Sequence, residues 1–159
     1  MSNERRIYKN YYMTDRAYVD ISQAAAGENV GKLGMTKKIL CWPKKTYDGD
    51  AALELIPQKQ GEPFSVTVPL GGKDFSDKDA LSIAVNGATP CDMIKIEIYG
   101  ANGEKSVDEI NFFNDRWSRL LVSLERNSAV CAAEKMVVSF YSVKGIPVEN
   151  KNGYIGEIY

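Results

Sequence analysis

From Thr36 onward, apolar and polar residues alternate in short runs separated by turn residues. In "AALELI", Leu53 and Leu55 share one face, with Ala52, Glu54 and Ile56 on the other. "PFSVTVPL" repeats the pattern: Phe64, Val66, Val68 and Leu70 fall opposite Ser65 and Thr67. Leu81, Ile83 and Val85 alternate with Ser82 and Ala84, and Ile94, Ile96 and Ile98 with Lys95, Glu97 and Tyr99. A period of two is that of a strand with one face buried. "ANGE" supplies an Asn-Gly hairpin turn between runs. Further runs follow in "DEINFF", "WSRLLVSL", "KMVVSFYSV" and the closing "GYIGEIY". The spacing predicts an all-β antiparallel sandwich of eight to ten strands. One helical stretch competes, "LERNSAVCAAEKM", as a turn or two with Asn127 or Ser128 as cap. Residues 1–34 are the least legible: "RIYKNYYM" and "AYVDIS" have strand content, and "QAAAGENVGKLG" reads as a small-residue loop. No repeat, low-complexity segment or linker divides the chain, so residues 1–159 are expected to form one domain.

The ranks opposite the core carry the candidate chemistry. Leu120, Val122 and Leu124 form the apolar rank of their strand, which puts Trp117 and Arg119 on the other face. The same alternation turns Lys95, Glu97 and Tyr99 away from the core, and Tyr141 away from Met136, Val138 and Phe140. If these strands are neighbours, one sheet face collects Trp117, Tyr99 and Tyr141 among Lys95, Glu97 and Arg119. Such a face suits a sugar: pyranose C–H groups pack on an aromatic plane, and the hydroxyl rim takes hydrogen bonds from charged partners. A bulge that slips register by one residue would instead turn Trp117 inward. Trp42 and Tyr47 flank the "PKKTYDGD" turn and are the loop-borne candidates, with Trp42 alternatively in the core.

Composition narrows the function classes. The chain has 20 Lys plus Arg, 21 Asp plus Glu and a net charge of −1, which argues against a broad cationic surface for nucleic acid or anionic lipid. The absence of histidine removes Ser-His-Asp and Cys-His catalysis and the usual zinc sites. Cys41, Cys91 and Cys131 form no Cys-x-x-Cys pair; they allow one disulfide or three thiols buried as small hydrophobes, and the second is expected. "GENVGKL" has three residues between its glycines where a phosphate-binding loop has four, and Leu33 where Ser or Thr should stand. Asp48 and Asp50 lack the further oxygen ligands of a helix-loop-helix calcium site. Glu54, Glu97, Asp108 and Glu109 are read as solvated carboxylates rather than a hydrolytic pair. No catalytic residue, metal ligand or cofactor is assigned. "MSNERRIYKNYYM" lacks the apolar h-region of a signal peptide and suits either a cytoplasmic start or a piece from inside a longer secreted protein.

The succession "TYDGDAALELI", "PFSVTVPLGGKDFSDKDALSIAVNG", "DMIKIEIYGANGE", "DRWSRLLVSL" and "GYIGEIY" resembles the consecutive strands of jelly-roll carbohydrate-binding modules, galactose-binding-like β-sandwiches, over about residues 46–159. The resemblance implies a non-catalytic module of two antiparallel sheets that binds a polysaccharide, of plant cell-wall type, in a cleft or at the loop tips. It also implies secretion as part of a longer, modular enzyme with a linked catalytic domain. Trp117 matches the Trp that opens its strand in such modules. Family members often carry Asp in the closing strand near a structural calcium; Gly156 stands there in this chain beside Glu157, so no calcium is assigned. The competing expectation is a structural or protein-interaction sandwich without a glycan ligand, in which the same aromatics form a subunit interface.

Overall fold

The computed structural model describes residues 19–37, 51–87, 93–111, 118–124, 128–141 and 152–158. Ten strands run through them: β1 (Ala25–Ala26), β2 (Val30–Lys37), β3 (Ala51–Pro57), β4 (Phe64–Lys73), β5 (Ala80–Gly87), β6 (Met93–Gly100), β7 (Lys105–Asn111), β8 (Ser118–Ser123), β9 (Ala133–Tyr141) and β10 (Gly153–Ile158). They form two five-stranded antiparallel sheets, ordered β1-β4-β9-β6-β7 and β2-β3-β10-β5-β8. This is the all-β sandwich that the alternation predicts. No helix among the described residues is long and apolar enough to cross a membrane.

The core lies between the sheets and is built from the predicted ranks. Phe64, Val66, Val68 and Leu70 of β4, Ile94, Ile96 and Ile98 of β6, and Met136, Val138 and Phe140 of β9 are buried from one sheet. Leu53, Leu55, Leu81, Ile83, Val85, Val122, Ile155 and Ile158 meet them from the other. The Phe64 and Phe140 rings stack at 5.1 Å between centroids. The Asn102-Gly103 turn joins β6 to β7, with Gly103 at φ +85, a conformation that L side chains avoid. At one edge the sandwich is tied shut, because Asp108 on β7 accepts the Ser123 amide of β8 at 2.8 Å.

Two expectations are corrected and one is narrowed. "QAAAGENVGKLG" is not a loop: Ala25–Ala26 and Val30–Lys37 are strands, because backbone pairing to β4 and β3 supplies what the small side chains do not. The helical candidate, a turn or two, is met among the described residues by one 3₁₀ turn, Ser128–Val130; Ala133 already opens β9, where the ladder to β4 and β6 outcompetes helix propensity, and Asn127 lies outside the described residues. Cys131, expected to be buried, is exposed beside that turn. Cys41 and Cys91 lie outside the described residues.

Candidate functional site: a polar row across four strands

The outer face of the β1-β4-β9-β6-β7 sheet is where the polar ranks come together. Cross-strand partners share a face, so the register reads as rows perpendicular to the strands. One row is Ser65, Ser139, Lys95 and Glu109, in register across β4, β9, β6 and β7. The next is Thr67, Val137, Glu97 and Val107; the one beyond is Pro69, Lys135, Tyr99 and Lys105. Four strands at about 4.8 Å spacing make each row about 14 Å long, the reach of a short oligosaccharide.

The first row floors a groove of about 370 Å³, lined also by Glu28, Pro63, Phe64 and Tyr141. Its wall is backbone. The Gly27 amide donates to the Ser65 carbonyl at 2.9 Å, the Ser65 amide donates to the Glu28 carbonyl at 2.9 Å, and the Glu28 amide donates to Ser65 Oγ at 2.8 Å. This close approach needs glycine: a Cβ on residue 27 would stand 2.5 Å from Ser65 Oγ and 2.9 Å from the Ser65 carbonyl oxygen. Asn29, at φ +53, anchors the same wall to the β3–β4 connection. Its Nδ2 donates to the Lys59 carbonyl at 2.9 Å and its Oδ1 accepts the Lys59 amide at 2.7 Å.

At the other end of the groove stands Tyr141. Its hydroxyl donates to Glu109, two strands away, so the side chain leans over β6. Burial and then the Glu109 carboxylate push this phenol above its ordinary range. Tyr99 behaves alike: burial first and Glu97 second raise it, and its hydroxyl donates to Glu97 Oε2 at 2.9 Å. Both tyrosines are therefore held protonated, as donors and not as bases. Glu97 is further approached by Lys105 at 3.6 Å and Lys95 at 3.9 Å, and Lys135 sits 5.1 Å above the Tyr99 ring centroid.

Of the predicted site residues, Lys95, Glu97, Tyr99 and Tyr141 share this face, because β6 and β9 are neighbours. Arg119 does not: β8 belongs to the opposite sheet, where Arg119 pairs with Ala84 and its Nη1 donates to Ser82 Oγ at 3.0 Å and to the Ser82 carbonyl at 3.2 Å. The premise that the three strands adjoin thus fails for β8. The Tyr99 ring has Lys135 over it and Phe64 is buried in the core, which leaves Tyr141, among the described residues, as the accessible aromatic of the groove. Trp42, Tyr47 and Trp117 lie outside the described residues. Sequence reasoning missed Ser65, Ser139, Glu109 and the Gly27–Glu28 wall; the outward position of Ser65 and Ser139 was readable, but their alignment with Lys95 was not.

No family model and no curated protein sequence matches the chain. Solved structures do resemble it. A family 11 carbohydrate-binding module from Clostridium thermocellum, solved with a β-1,3-1,4-mixed-linked tetrasaccharide, superposes with a TM-score of 0.55 at 11% identity, covering 85% of this chain and 85% of that one. A carbohydrate-binding module of the β-sandwich superfamily gives 0.55 at 8% identity, covering 89% of this chain and 59% of that one. An exo-β-agarase gives 0.57 at 12% identity; 91% of this chain is covered, and it spans 25% of the agarase. The chain has the jelly-roll fold of these modules, and at these identities the likeness is one of fold.

Proposed function

We propose that this β-sandwich is a single, non-catalytic module that binds a polysaccharide of plant cell-wall type in the groove between Tyr141 and the Gly27–Glu28 wall. The observation that carries the reading is the row Ser65, Ser139, Lys95 and Glu109, which lines up hydroxyl, ammonium and carboxylate groups beside one aromatic side chain. A sugar ring stacks its C–H face on Tyr141 while its rim hydroxyls exchange hydrogen bonds with the row. The mixed-linked tetrasaccharide of the family 11 module supports a β-glucan as one such ligand. The agarase likeness supports a natural setting in which the module is linked to a catalytic domain of a secreted enzyme. Absence of catalysis is argued from the chemistry of the face. Glu97 and Glu109 both accept tyrosine hydroxyls, and both phenols are pushed away from the pKa that a base at neutral pH needs. Trp42, Tyr47 and Trp117 are the further aromatic candidates for contact.

Affinity electrophoresis against soluble glucans, mannans, xylans and pectins tests the reading. Retardation by at least one class is expected, at micromolar to millimolar affinity. Tyr141→Ala should weaken it about tenfold, the share of one aromatic platform, with a melting point within a few degrees of the parent. No retardation by any glycan, or retardation untouched by Tyr141→Ala, overturns the proposal.

A further inference from the structure

The third row of the same face carries charge that the neutral-sugar groove does not use. Lys135, Tyr99 and Lys105 lie side by side across β9, β6 and β7. Lys135 and Lys105 therefore flank the Tyr99 ring from the two neighbouring strands, and Lys95 stands four residues back along β6. Two of these ammonium groups, Lys95 and Lys105, approach one largely buried carboxylate, Glu97, whose side chain is 12% exposed, while the third, Lys135, lies over the Tyr99 ring. Glu97 is also taken by the Tyr99 hydroxyl. Glu134, the sequence neighbour of Lys135, turns its carboxylate toward Gly72 on β4. The cations are more exposed than the anion: the Lys105 side chain is 51% exposed and that of Lys95 33%.

We infer that this row is a subsite for an anionic substituent on the glycan chain, so that the ligand is an acidic polysaccharide. The inference rests on the glycan-binding reading above and names the ligand class of that face. Tyr99 is fixed by its bond to Glu97, Lys135 is held over its ring and Lys105 stands 3.6 Å from Glu97, so two ammonium groups are positioned before a ligand arrives. A carboxylate or sulfate laid across Tyr99 meets Lys135 from one side and Lys105 from the other. The four residues from Lys95 to Tyr99 place this subsite about 14 Å from the groove row, at about 3.4 Å per residue. Between them lies the row Thr67, Val137, Glu97 and Val107, whose one carboxylate already accepts the Tyr99 hydroxyl and is approached by Lys95 and Lys105. The chain's net charge of −1 opposes indiscriminate attraction of polyanions, so attraction here must be local.

Carboxylate and sulfate share the chemistry, and the experiment separates them. Affinity electrophoresis at low and at about 0.3 M salt is run with polygalacturonate, a sulfated galactan, and neutral glucan and galactan. The parent should be retarded more by polygalacturonate or by the sulfated galactan than by the neutral polymers, and added salt should remove the excess. Lys105→Gln with Lys135→Gln should weaken the acidic polymer on the order of tenfold and leave neutral-glycan binding unchanged. Lys32→Gln, an exposed lysine on β2 of the other sheet, should change nothing. Retardation by neutral glycans alone overturns this inference and leaves the groove reading standing. Equal weakening by Lys32→Gln overturns it as unspecific charge attraction. No retardation by any polymer overturns both readings.

Discussion

Replacing Gly27 by alanine separates the proposed wall from an incidental loop, because the two readings predict opposite signs. Without the close approach, Gly27→Ala should stabilise the protein by about 0.4–1 kcal/mol, since alanine restricts the unfolded chain. The structure predicts destabilisation. A Cβ at 2.9 Å from the Ser65 carbonyl oxygen meets backbone, which cannot rotate away, and at 2.5 Å from Ser65 Oγ it displaces the hydroxyl as well. Three hydrogen bonds hold this approach, two between backbones at 2.9 Å and one to Ser65 Oγ at 2.8 Å. At about 0.5–1.5 kcal/mol each, their loss less the entropic gain leaves about 1–3 kcal/mol. At about 2 kcal/mol, the melting point of a domain this size falls by about 4–8 °C. Urea denaturation gives the free energy directly, with an unchanged m-value expected because no large surface is newly exposed. Glycan retardation should fall in the same variant, since the wall of the groove moves. A neutral or stabilised Gly27→Ala protein refutes the reasoning.

Asp108→Ala should cost about 1 kcal/mol and act locally: it releases the Ser123 amide, whose hydrogen exchange should accelerate while that of β4 and β9 does not. Uniform acceleration across both sheets would show that the Asp108 contact is not a local tie. The pH profile of stability should be flat between about pH 5.5 and 7.5, because the chain has no histidine to titrate there. Below that window stability should fall. Asp20 and Asp74 are lowered by hydrogen bonds from Ser22 and Ser76, and Glu104 by its own amide; such stability is present above the unfolded carboxylate pKa and lost as pH drops through the folded one. Above pH 10 it should fall again. Tyr99 and Tyr141 are raised by burial and by Glu97 and Glu109, so their contribution holds below the ordinary phenol pKa and vanishes as pH rises through the folded value. A step in thermal melting centred near pH 6–7 would contradict the assignment.

The sequence by itself determined the strands and their two faces. Ile94, Ile96 and Ile98 point inward and Lys95, Glu97 and Tyr99 outward because a strand's side chains alternate by covalent geometry, and one face must leave water. The same local logic placed Met136, Val138 and Phe140 in the core and Tyr141 outside it. Where side chains are too small to show a period, as in "QAAAGENVGKLG", the strand was invisible, since its stability comes from pairing with β3 and β4. Tertiary structure alone decided which strands adjoin. Ser65 and Ser139 stand 74 positions apart in the chain, by subtraction of their numbers, yet are direct partners; Arg119, closer in sequence to Tyr99 than Ser65 is, went to the other sheet. Strand order and register follow from how two sheets fill one core, a collective packing problem, whereas alternation is a property of each strand. The groove row, the wall at Gly27 and the lysines flanking Tyr99 are products of that packing.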